Sequence, residues 1–209
     1  MQLLLQLSRL IDAVNHWIGK ATTWLVLVTV LISAGNAIMR KAFSIGSNAY
    51  LEVQWYLFAA VFMLAAAYVF LHNAHVRIDF VSSRLSKRTN AIIDALGITL
   101  FLIPLCLILI NLSWPYFMRT YVSGEMSENA GGLIRWPVVM LIPLGFAILL
   151  MQALSELIKR LGFLAGHREE PFSFMNEKTA EEEMAEALEA SAAAEAEAAA
   201  AAAAKGARL

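Results

Sequence analysis

Few ionisable residues interrupt or border the long apolar runs of this sequence. Those that do are the first candidates for chemistry: Glu52, His72, His75, Arg77, Asp79, Asp94, Arg135 and Glu156. None of the spacings is catalytic. The chain has no paired-carboxylate arrangement, no serine, histidine and aspartate set near one depth, no HExxH and no glycine loop for phosphate. Haem ligation would need two histidines on facing helices. His72 and His75 share one helix end, His16 belongs to an N-terminal amphipathic segment and His167 starts the tail. No haem or other cofactor is expected, and nothing implies a nucleic-acid partner.

Transport by the chain alone is also poorly served. An ion or solute path uses polar groups at mid-depth, where a charge costs about 2.5–3.5 kcal/mol even on the lenient scale. Here the charges stand at the ends of apolar runs, Glu52 and Arg135 at one end and His75, Arg77, Asp79, Asp94 and Glu156 at the other. The breaks noted within those runs, Pro104 and Pro143-Leu-Gly145, are not the paired interruptions of inverted-repeat carriers. Charges so placed fix depth and hold helices in register. The pattern is that of a scaffold.

The elements that position these residues are helices of membrane length. The central stretch Asn48 to Val81 opens on Glu52 and the pair Trp55-Tyr56, continues through about twenty apolar or small residues and closes on His72, His75, Arg77 and Asp79. At about 1.5 Å per residue, Tyr50 to Leu71 crosses one bilayer core of about 30 Å. Three more spans are expected, at about 19–39, 90–112 and 135–158. Pro104 removes a backbone hydrogen bond within the third, and Pro137 suits the first turn of the fourth. Trp114, Tyr116, Phe117 and Tyr121 read as an aromatic belt. Ala59, Ala60, Ala66 and Ala67 give the central helix small residues at heptad spacing, which let another backbone approach. That backbone belongs either to the chain's own helices or to a partner.

Residues 1–18 set Leu3, Leu7, Leu10, Val14 and Trp17 on one helical face and Gln2, Gln6, Arg9, Asp12, Asn15 and His16 on the other. This is an amphipathic helix suited to the headgroup plane or to packing on another helix, and Arg9 and Asp12 break it as a signal peptide. The predicted fold is therefore all-α: four transmembrane helices over 19–160, an amphipathic helix over 1–18 and a tail over 161–209.

Composition agrees. Hydrophobic residues make up 59% and charged ones 16% of the 209 residues, against about 25% charged in soluble domains. No soluble region remains for a conventional enzyme site, and the single Cys106 excludes an intramolecular disulfide or a cysteine metal cluster. Residues 1–168 carry thirteen Lys/Arg against seven Asp/Glu; the last forty-one carry three against ten. With both termini on one side, that side collects nine basic residues and the other only Arg40, Lys41, Arg119 and Arg135. The positive-inside rule then puts both termini in the cytoplasm. Glu177 to Leu209 is Glu/Ala-rich and lacks an apolar face, as expected of a solvated appendage.

Glu52, the run Gln54 to Phe58, the alanine-rich middle and the ending His75-Val-Arg77-Ile-Asp79 resemble the small membrane subunit of tripartite ATP-independent periplasmic (TRAP) transporters, the DctQ type. Glu128 to Pro137, with Ile142-Pro143-Leu144-Gly145-Phe146 after it, is similar to the branch assigned to mannitol, chloroaromatic and keto-acid systems. The resemblance covers about residues 1 to 160, and the acidic tail departs from it. It implies an obligate complex with a large membrane subunit that holds the substrate and sodium sites, and a periplasmic substrate-binding protein that delivers the solute. It also implies uptake driven by the sodium gradient, and an inner-membrane scaffold rather than an enzyme. Glu52 and Trp55 would hold the outer end of the central helix and His75, Arg77 and Asp79 its inner end; Arg135-Trp136-Pro137 would set the start of the fourth. Ordinary interfacial anchoring accounts equally for Trp55 and Trp136. A membrane assembly factor or chaperone without a transport role has the same physical features.

Overall fold

The computed structural model describes residues 2–44, 46–73 and 84–167, and these are helical apart from turns and one isolated bridge between Met126 and Ile134. His75, Arg77, Asp79 and the acidic tail lie outside the described residues. The helices are α1 (Gln2–Phe43), α2 (Asn48–Leu71), α3 (Lys87–Gly97), α4 (Ile103–Ser123) and α5 (Trp136–Leu164), with a π-helical turn, Ile98–Leu102, joining α3 to α4. Four helical stretches are long and apolar enough to cross a membrane: α1, α2, α3 through α4, and α5. This is the predicted all-α, four-span architecture.

The helices run further than the apolar stretches alone suggest. The amphipathic segment 1–18 and the first span are one helix of 42 residues. Gly19 does not break it, because Tyr68 of α2 packs directly over the bare Cα and a Cβ there would overlap the ring. The third span also continues, to Ser123, where Gly124 at φ 62° ends it in the left-handed cap that favours glycine. At its other end the Ser86 hydroxyl caps α3 by accepting from the Thr89 amide. The disturbance expected at Pro104 is a π turn immediately before it. The Ile103 N–H reaches back five residues to the Ile98 carbonyl, a widening that accommodates the proline ring.

α5 is the hub. It packs against α1, α2, α3 and α4, and more of its span is buried than of any other. Close approach to α2 is set by Gly145, where an added Cβ would stand 2.9 Å from the Met63 carbonyl oxygen. Pro143 is buried in the same stretch, so the Pro-Leu-Gly element serves packing. On α2 only part of the alanine stripe enters the chain's own bundle: Ala67 is fully buried, whereas Ala59, Ala60 and Ala66 are half-buried.

Candidate functional site

Two polar constructions close the bundle, one at each end. The first is built on Glu52 in the opening turns of α2. Its side chain is buried, 3% exposed, and both carboxylate oxygens take donors from the loop between α4 and α5. Leu133 donates its backbone N–H to Oε2 at 2.6 Å, Asn129 donates Nδ2 to Oε1 at 2.7 Å and the Ser127 hydroxyl donates to Oε1. Charge-assisted bonds of this kind are about twice as strong as neutral ones. The loop can offer three donors to one carboxylate because it turns tightly. Gly131 adopts φ 73°, and Gly132 passes so near that a Cβ would meet Ser127, Asn129 and Glu52 together. Asn48 and Tyr56, a turn to either side of Glu52, donate to the carbonyls of Ala130 at 3.1 Å and Ile134 at 3.2 Å.

Arg135 belongs to this end as expected. It pairs with Glu125 and reaches the Tyr116 hydroxyl at 3.4 Å. Trp136, the first residue of α5, meets Tyr121 edge-on at 5.5 Å. That contact continues a row through Phe117 to Trp114, so the aromatic belt sits on the last turns of α4. Trp55 is 67% exposed and lines a cleft with Glu52, Tyr56, Ala59, Glu128, Arg135 and Val138.

The second construction went unrecognised in the sequence. Asp12 of α1 lies against α5, with Lys159 Nζ 3.0 Å from Oδ2 and the Ser155 hydroxyl and Gln152 Nε2 donating to Oδ1 at 2.8 and 3.0 Å. Glu156 bridges two cations: it pairs with Lys159 through Oε1 and with Arg160 through Oε2. Arg160 continues to Asp94 of α3 at 3.4 Å. Ser8 meets Ser155 at 2.7 Å and Asn15 donates to Gln152 at 2.6 Å. Lys159 and Arg160 are 1% and 2% exposed. Three helices are thus locked by five charges inside protein, the arrangement that lets charge exist near a bilayer.

The sequence signal was present on both sides: Ser8, Asp12 and Asn15 share one face of α1, and Gln152, Glu156 and Lys159 share one face of α5. A third meeting was also missed. His16 and His72, placed by the spacing on separate elements, have ring centroids 5.5 Å apart, with Tyr68 4.0 Å from His72.

Between the two ends the packing is apolar, with Ala67, Ile98, Cys106 and Ile148 buried. Each polar network ties helices of the bundle to one another. Residues 29–162 match a family model described as tripartite ATP-independent periplasmic transporters, DctQ component. No curated protein and no solved structure matches the chain.

Proposed function

The chain belongs to the DctQ component family of tripartite ATP-independent periplasmic transporters, the small subunit of such a transporter, and from that premise we propose that it braces the large permease subunit while solute crosses. The family is a transporter component and not an enzyme family, and its setting is the bacterial inner membrane, which the chain spans more than once. Its partners as a tripartite component are a large membrane subunit and a periplasmic binding protein. On this reading uptake is sodium-driven, the solute is an organic acid or a related small molecule, and the substrate and sodium sites lie on the large subunit.

One observation supports bracing above the rest. Among the described residues the buried charges, Glu52 at one end and Glu156, Lys159 and Arg160 with Asp12 at the other, are each tied into a polar network at opposite ends of an apolar bundle. A body clamped at both ends resists the deformation that a moving neighbour would impose. The face of α2 that carries Trp55, Ala59, Phe62 and Ala66 is open and is the proposed contact with the large subunit at mid-depth. The Glu52 end is periplasmic and both termini cytoplasmic, following the basic-residue count. A reporter fused after Arg88 should then be cytoplasmic, and one near Glu125 periplasmic.

Reconstitution tests the role directly. Liposomes holding the large subunit should take up solute with the binding protein present only when this chain is added. Ala59→Phe and Ala66→Phe should weaken co-purification and uptake together. Full uptake without the chain would end the bracing reading, and normal assembly of the Phe variants with failed uptake would give α2 a part in the transport step instead.

A further inference from the structure

One groove of the bundle belongs to neither polar network. It lies where α1 ends and α2 begins and encloses about 350 Å³, the size of a small ligand site. Ile32, Gly35, Asn36 and Met39, on one face of α1, form one wall, and Ser47 and Tyr50 form the other. The polar groups in it stand without partners. The half-buried Asn36 side chain makes no hydrogen bond among the described residues, and the Ser47 hydroxyl does not cap the helix it precedes. A carboxamide left unbonded beside an apolar trough is costly, so the groove calls for an occupant with hydrogen-bonding atoms.

Gly35 points the same way. It is helical, and a Cβ added there would meet nothing within 4 Å. Gly19 and Gly145 are bare because Tyr68 and Met63 press on them, whereas no described helix uses the space over Gly35. Glycine within a helix is destabilising relative to alanine. Here the chain's own packing gives no return for it.

Charge at the mouth selects the occupant. Arg40 follows Asn36 by one helical turn and leans over the loop, its Cδ 3.8 Å from where a Gly46 Cβ would stand, next to Ser47. It is exposed and has no acid partner among the described residues. From the end of the span inward the groove thus offers a cation, then an amide and two hydroxyls, then an apolar trough about 10 Å long between Met39 and Ile32. That is the order of a phosphodiester, its glycerol esters and an acyl chain. A protein helix, about 10–12 Å across, is too wide to enter a trough of this volume. We propose that the groove binds one anionic phospholipid. Arg40 holds the phosphate, Asn36, Ser47 and Tyr50 bond the oxygens below it, and one acyl chain lies along Met39, Gly35 and Ile32.

The full chain is reconstituted in nanodiscs of phosphatidylglycerol and phosphatidylcholine in equal amounts with identical acyl chains, then released into mild detergent. Native mass spectrometry counts the lipid retained. One phosphatidylglycerol per chain is expected, favoured over phosphatidylcholine about tenfold. Arg40→Gln should lower that preference about fivefold. Lys41→Gln removes an equal charge about 100° further round the helix, away from the groove, and should lower it less than about twofold. Gly35→Leu, whose side chain enters open space, should abolish retention while the melting temperature in detergent holds. If that variant does not fold, the Arg40 and Lys41 pair decides alone. Equal retention of the two lipids, equal effects of Arg40→Gln and Lys41→Gln, or retention untouched by a folded Gly35→Leu would each overturn the site. In the intact complex a benzoylphenylalanine in place of Met39 should attach to phospholipid. Attachment to protein alone would give the groove to a neighbouring chain and end the proposal.

Discussion

Lys159 Nζ lies 3.0 Å from Asp12 Oδ2, joining residues 147 positions apart in the chain, and both belong to a charge cluster that water scarcely reaches. The pair turns the amphipathic start of α1 inside out relative to a soluble helix. Its polar side faces protein and its leucines face outward. Such an inversion is stable only where every charge has a partner, because a charge left alone in a buried site costs far more than a pair contributes. Glu156 is the keystone, since it contacts both cations.

The cluster should therefore respond unequally to single substitutions. Glu156→Ala takes one buried carboxylate partner from Lys159 and from Arg160 at once and is expected to cost about 3–5 kcal/mol. Lys159→Met should cost about 3 kcal/mol, at the low end of that range, because Ser155 and Gln152 still donate to Asp12. Asp12→Asn combined with Lys159→Gln should recover part of the loss. Unfolding of the detergent-solubilised chain measures all three. Equal and additive losses would show that the charges act independently.

At the other end, Glu52→Gln keeps the size of the side chain and removes its charge. The amide has one acceptor oxygen where the carboxylate offers two, so Ser127, Asn129 and the Leu133 amide can no longer all be satisfied. Hydrogen exchange at the Leu133 amide should accelerate on the order of tenfold to a hundredfold, while amides in the middle of α5 stay protected. An unchanged rate at Leu133 would mean that Gly131, Gly132 and the bridge from Met126 to Ile134 shape the loop without help. Loss of protection throughout α5 would make Glu52 a determinant of the whole fold.

What could be read from residue order follows from what periodicity encodes. Apolar length identified four spans, Pro137 identified the start of α5, and the isolation of Glu52 and Arg135 placed both at one end. Periodicity also separated the polar from the apolar side of residues 1–18. It could not say whether the polar side meets water or another helix some 140 residues away, and that difference hides the ionic cluster. The meeting of His16 with His72 was obscured in the same way, because it depends on how α1 and α2 align across their short turn. Trp114, Phe117 and Tyr121 fit an interfacial belt whether they follow a helix or end one, so the length of α4 was not legible from them. The alanine stripe is a partial case. Ala67 packs inside, while Ala59 and Ala66, half-buried, are still open to a partner.

Two helical glycines at close contacts, Gly145 and Gly19, offer a sharper comparison, since the same small change meets different obstacles. At Gly145 an added methyl group faces the Met63 carbonyl oxygen and Cβ, both fixed to the backbone of α2. At Gly19 it meets only the side chain of Tyr68. Overpacking costs about 1–3 kcal/mol where a well-packed site must shift. Gly145→Ala is expected at the upper end of that range, because two helix axes must separate. Gly19→Ala should be rescued by Tyr68→Ala, whose missing ring makes room, although that second change also loosens the contacts with His16 and His72. No substitution of Met63 should rescue Gly145→Ala to the same degree, since the carbonyl stays whatever side chain follows it. Thermal stability of the four variants in detergent decides the matter. If Met63→Ala restores Gly145→Ala as fully as Tyr68→Ala restores Gly19→Ala, the α2–α5 approach is set by side chains and can yield. The bundle would then be softer at its centre than a brace requires.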